Sequence, residues 1–121
     1  MTLIFYDSNE AVQSQLGTSW LSALSKAGTL REDKPHLVWI YAEYGGVLDT
    51  HPVQIQVRLD GVERGQDYHT PVAGEYKAFS VFGLLQTGLL TESHSVEIRA
   101  RGGHAAQTVN VRRVRLAVMQ E

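Results

Sequence analysis

Three well-separated stretches of this chain alternate apolar and polar residues one by one. Val53, Ile55, Val57 and Leu59 alternate with Gln54, Gln56, Arg58 and Asp60. Val96, Ile98 and Ala100 alternate with Glu97, Arg99 and Arg101. Val109 and Val111 alternate with Asn110 and Arg112. Successive side chains of a β-strand point to opposite faces, so each run makes a strand that is oily on one side and wet on the other. A helix would need a period near 3.6, and none is sustained here. One-sided sheets bury their oily faces on each other, so the expected fold is all-β, an antiparallel two-sheet β-sandwich with little or no helix.

At 121 residues the chain has the length of one domain, large enough for a core without covalent staples. It is read as one unit over 1–121, with an N-terminal strand and irregular segment over 1–35 and the main strands over 36–121. Without cysteine there is neither a disulfide framework nor a thiolate metal site. No apolar stretch approaches the ~20 residues of a membrane span, and the N-terminal residues lack the basic region and cleavage site of a secretory signal. Cytoplasmic synthesis and no membrane association are expected. The net charge of −2 argues against a nucleic-acid partner. Charge is uneven: residues 1–93 carry six basic and eleven acidic groups, net −5, whereas 94–121 carry five arginines and two glutamates, net +3. Arginines on the solvent face of the last strands explain this most simply; partner docking is the sharper reading.

Strands are expected at Thr2 to Tyr6, His36 to Tyr44, Val53 to Leu59, Val62 to Arg64 and Tyr76 to Leu85, followed by a terminal pair. Polar loops fill Asp7 to Gly17 and Gln66 to Gly74. Residues 18–30 read as extended or irregular, with a short helix as the alternative because Leu16, Trp20, Leu21 and Leu24 sit near helical spacing and Gly28 could cap it. Lys34-Pro35 breaks the chain, Gly45-Gly46 ends a strand, and Gln86-Thr87-Gly88 turns before Leu89-Leu90 packs. Asp60-Gly61 between alternating runs predicts a type I′ hairpin turn. The stretch Leu37 to Ala42 is apolar on both faces, the mark of a central strand that is covered or lies at a subunit interface. If the last two strands form a hairpin across the loop Gly102 to Gln107, Ala100 meets Val109, Ile98 meets Val111 and Glu97 meets Arg112. The oily phase restarts one residue late at Val114, which predicts a β-bulge at Arg112-Arg113.

No motif announces catalysis. The five histidines lack zinc-site spacing; His51 with Asp49, and His69 with Asp67, are the nearest to ligand pairs, and polar loop residues account for them. There is no Gly-x-Ser-x-Gly elbow, the carboxylates are dispersed, and Gly102-Gly103 precedes no helix that could cradle a phosphate. The chain is therefore not expected to be an enzyme or to hold a metal or cofactor. Trp39 and Tyr41 are expected in the core. Trp20 and Tyr44, near loop ends, are the expected exposed contacts. Leu3 and Phe5 could form an arm laid on a neighbour or an edge strand. With Arg99 and Arg101 these make the interface candidates Leu3, Phe5, Trp20, Tyr44, Arg99 and Arg101.

Taken in order, Leu37 to Ala42, Val53 to Gly61, Phe79 to Gly83, Leu85 to Gly88, His94 to Arg101 and Val109 to Met119 resemble the small jelly-roll domains of tailed-bacteriophage virion proteins. These include capsid decoration (cement) proteins, head fibres and tail-associated domains. The resemblance covers most of the chain from residue 36 onward. It implies a jelly roll of about eight strands, assembled as a homotrimer and bound to the major capsid protein or other virion proteins. The function it implies is decoration and stabilisation of the assembled shell, in the virion. The alternative is a carbohydrate- or receptor-binding sandwich of a tail-associated adhesin, whose partner would be a glycan.

Overall fold

The computed structural model describes residues 2–30, 36–86 and 92–120. All regular elements among them are strands: β1 (Thr2–Asn9), β2 (Gln13–Leu16), β3 (Leu21–Leu30), β4 (His36–Gly46), β5 (Val53–Leu59), β6 (Val62–His69), β7 (Tyr76–Gln86), β8 (Glu92–Gly102) and β9 (Thr108–Gln120). Sheet A runs β1-β9-β4-β7, with β2 also paired to β9, and sheet B runs β3-β8-β5-β6. Every pairing is antiparallel.

The alternating residues enclose one core. Val38, Ile40, Ala42, Val109, Val111, Val114, Leu116 and Val118 from sheet A face Val53, Ile55, Val57, Val96, Ile98 and Ala100 from sheet B. Each such side chain fully buried is worth about 1.5–3 kcal/mol relative to exposure, so this shared face drives the stacking of the sheets.

The Asp60-Gly61 turn is as expected, with φ of 51° and 79° at its central residues. The expected bulge also lies at Arg112-Arg113. Tyr41 faces Arg115 and Glu43 faces Arg112, so β9 takes one more residue than β4 over that span, and Arg113 adopts φ 51°. The bulge restores the inward phase for Val114. Facing it, the first strand is interrupted: β1 pairs with Val114–Gln120 and β2 with Thr108–Val111. This break makes nine strands among the described residues where about eight were expected.

The terminal hairpin register is overturned. β8 pairs with β3 and β5, while β9 pairs with β1, β2 and β4, so the two lie in opposite sheets. Ala100 opposes Leu21 and Ile55 rather than Val109; Ile98 opposes Leu24 and Val57; Glu97 opposes Ser25 and Arg58. The loop after Gly102 is long enough to cross the ~10 Å between stacked sheets. Crossing lets the oily faces of β8 and β9 bury each other instead of lying side by side.

Other boundaries shift as well. Residues 21–30 form a strand whose register slips between Ser22 and Leu24; that extra residue places Leu21 and Leu24 three apart yet both against the core, which imitates helical spacing. β6 continues past Arg64 to His69, its polar residues suiting an edge strand. Part of the expected 7–17 loop is strand. Lys34-Pro35, the turn at 87–88 and the packing of Leu89-Leu90 fall outside the described residues.

Candidate functional site

Trp20 immediately precedes β3, at the end of the crossover from sheet A. Gly17 holds that crossover: at φ 93° it donates its amide to the Gln107 carbonyl (2.8 Å) and accepts from the Gly102 amide (3.0 Å). The crossover sets Trp20 over the outer face of sheet B, where the Cζ atoms of Arg99 and Arg101 each lie 4.2 Å from its ring centroid. Trp20 thus meets two candidates far from it in sequence. The contact is of cation–π type, worth about 0.5–1 kcal/mol at an exposed site.

From there a polar lattice crosses the sheet. Gln54 opposes Arg101 on one side and Tyr68 on the other; Gln56 opposes Arg99 and Gln66. Arg101 Nε donates to Gln54 Oε1 (3.0 Å), and Gln54 Nε2 donates to Gln66 Oε1 (3.0 Å). Arg99 Nε donates to Gln56 Oε1 (2.6 Å), and Gln56 is buried. Tyr68 closes the row at 70% exposure. Desolvation, then the like charge of Arg58, holds the Arg99 guanidinium below its ordinary pKa.

The outer face of sheet A is different. Tyr6, Ala117, Trp39 and Phe82 are register neighbours across β1, β9, β4 and β7, and Leu3, Met119 and Leu37 form a second row. Leu3 is 55% exposed and Phe82 64%. Further along the same face the chemistry turns ionic. Glu43 accepts from the Tyr41 hydroxyl (2.6 Å), Arg112 Nε (2.7 Å) and Arg113 Nη1 (3.2 Å), and Arg115 Nε donates to Glu10 (2.7 Å). The Tyr41 hydrogen bond is the chief cause that lowers the Glu43 pKa to about 2, opposed by burial and reinforced by the two arginines.

Several expected placements need correction. Tyr44 is not an exposed contact: it is completely buried, and its hydroxyl donates to Asp67 Oδ2 (2.6 Å). Phe5 is likewise in the core. Trp39 and Tyr41, expected inside, lie on the outer face of β4, because Val38, Ile40, Ala42 and Tyr44 hold the inward phase. Leu3 is on an edge strand of sheet A, out of phase with Phe5 because the register slips between them. Sequence reasoning missed Gln66 and Phe82. The aliphatic phase Val38-Ile40-Ala42 was the signal that turned its aromatic neighbours outward.

His94 Nδ1 lies 2.7 Å from Asp60 Oδ2, whereas His51 and His69 meet aromatic rings. His51 stacks on His104 at 3.9 Å between centroids, and His69 stands edge-on to Tyr44 at 4.8 Å. Asp67 is engaged by Tyr44 and by Lys77 Nζ (3.0 Å). Among the described residues no group of three or more His, Asp or Glu could hold a metal ion.

The two strand orders define a jelly-roll β-sandwich. No family model matches the chain, and no curated protein matches it by sequence. Solved structures do match. A chain of T=1 particles derived from infectious bursal virus superposes with a TM-score of 0.64 at 10% identity, over 97% of this chain and 31% of that one. The C-terminal domain of EclA, a sugar-binding protein, gives 0.59 at 10% identity, over 91% and 79%. The CBM36-1 domain of a multidomain xylanase from the hindgut metagenome of Trinervitermes trinervoides gives 0.51 at 10% identity, over 98% and 90%. The chain spans about a third of the viral chain it matches. At such identities the likeness is one of fold.

Proposed function

We propose that the chain is a structural, non-catalytic virion protein that docks on its neighbours through the outer face of sheet A. The row Tyr6-Ala117-Trp39-Phe82, flanked by Leu3, Met119 and Leu37, carries the reading. Isolated apolar side chains are ordinary on a surface, whereas contiguous rows across four strands mark an interaction surface. The ionic network around Glu43 supplies a polar border, as at protein interfaces. A particle-forming viral chain among the similar structures supports the same reading. In its finer form, the protein decorates the capsid of a tailed bacteriophage as a homotrimer seated on the major capsid protein. Binding only the assembled shell, it stabilises assembly by linkage, and trimeric display adds avidity.

Light scattering and co-sedimentation with shells of the phage's major capsid protein test this. The expected result is a trimer that sediments with shells, and a Phe82→Ser variant that folds normally and stays in the supernatant. A monomer that never sediments with shells, or a variant that binds as well as the parent, refutes it.

A second reading, a saccharide-binding module, is favoured by the outer face of sheet B, where amides and guanidiniums lie between Trp20 and Tyr68. That one similar structure is a sugar-binding protein supports it.

A further inference from the structure

Building on the saccharide reading, we propose that the outer face of sheet B binds an anionic oligosaccharide, one bearing carboxylate or sulfate groups, with Arg99 and Arg101 as its anion-binding groups. Arg112, Arg113 and Arg115 on sheet A are each paired with a carboxylate. Arg99 and Arg101 have none among the described residues. Each guanidinium uses only Nε in hydrogen bonding, to Gln56 and Gln54, and its terminal amino groups have no hydrogen-bond partner among the described residues. A planar guanidinium with its outer edge free matches a carboxylate or sulfate in two-point geometry. Both side chains are already ordered, held by the Trp20 ring on one part and a glutamine on the other, so little rotamer entropy remains to be lost on binding. Trp20 acts here as a positioning residue, because the two guanidiniums occupy its ring.

The rest of the row suits a sugar. Tyr68, Gln54 and Arg101 are aligned across β6, β5 and β8, a span of about 10 Å from two inter-strand spacings. The exposed Tyr68 ring offers a flat apolar face for a pyranose, and the amides of Gln54 and Gln66 offer paired donors and acceptors for hydroxyls. A nucleic acid fits less well. Glu97 and Glu63 share this face through their pairing with Arg58, the chain is net negative, and a phosphodiester backbone needs an extended cationic track.

Calorimetric titration of the full chain tests the proposal with four probes: a uronate hexamer, its carboxyl-reduced neutral counterpart, a sulfated hexamer and a single-stranded oligonucleotide. One or both anionic sugars are expected to bind at least about tenfold tighter than the neutral one, the range of one or two charge-assisted hydrogen bonds. Which of the two binds identifies the anion. The double variant R99Q/R101Q is expected to abolish that preference. Tyr68→Ala should weaken all sugars alike by up to about tenfold, and Phe82→Ser, on the other sheet, should change nothing. Thermal unfolding verifies that each variant is folded. Equal affinity for anionic and neutral hexamers overturns the anionic assignment and leaves the saccharide reading standing. Binding of no sugar sinks both, as does tighter binding of the oligonucleotide.

Discussion

Replacing Glu43 by glutamine should expose how much the ionic network on sheet A stabilises the fold. The carboxylate is 12% exposed, and its pKa falls from 4.5 to about 2 through the Tyr41 hydroxyl first, against the opposing effect of burial, and then through Arg112 and Arg113. At 1.36 kcal/mol per pH unit that fall corresponds to a ceiling of about 3 kcal/mol. The arginine partners are 34% and 51% exposed, so solvent screening reduces the expected loss to about 1–2 kcal/mol. The sign follows from the depressed pKa. The stabilisation is fully present above pH 4.5, where the unfolded chain is also ionised, and it disappears as pH falls through about 2. Urea unfolding of parent and Glu43→Gln proteins at pH 7, 4 and 2.5 measures it. A gap of about 1–2 kcal/mol at pH 7 should narrow steadily toward pH 2.5. A gap that is absent at pH 7, or that persists undiminished at the acid end, refutes the electrostatic reasoning and makes Glu43 a packing residue.

Two further substitutions test the core. Ile98→Ala removes a fully buried side chain where β8 packs on sheet A, and denaturant titration should show a loss of about 2–5 kcal/mol; a loss below 1 kcal/mol would mean the site collapses around the gap. Gly28→Ala should overlap the Phe5 ring, because a Cβ there meets that ring. Its expected cost, about 1–3 kcal/mol, should shrink in the double variant with Phe5→Ala. Additive losses would show that the two residues are not in contact.

The legible part of this protein is the part written at a two-residue period. Val53, Ile55, Val57, Ile98, Val109 and Val111 all face the core as their alternation requires. The Asp60-Gly61 turn was readable because only a few residue types accept left-handed backbone. The bulge at Arg112-Arg113 was readable from the late restart of the oily phase, although its partner proved to be β4 rather than β8. The far half of β6 was hidden because an edge strand needs few apolar residues, so Gln66 to His69 reads as loop until β5 pairs with it. Of the interface candidates, the chain as a string offered no reason for Trp20 to sit with Arg99 and Arg101 rather than beside Leu3 or Tyr44.

Where apolar and polar residues alternate strictly, the sequence alone determined which side chains turn inward and where strands bend, since both are properties of a few consecutive residues and their sterics. The tertiary structure alone decided which strands become neighbours. β8 and β9 are adjacent in the chain yet lie in opposite sheets, because burying two oily faces against each other removes more apolar surface from water than pairing them edge to edge. That same long-range choice gathered Trp20, Gln54, Tyr68, Arg99 and Arg101 on one face and left the Trp39-Phe82 row on the other. Alternation encodes a side for each residue, and only the closure of the whole sandwich gives that side a partner.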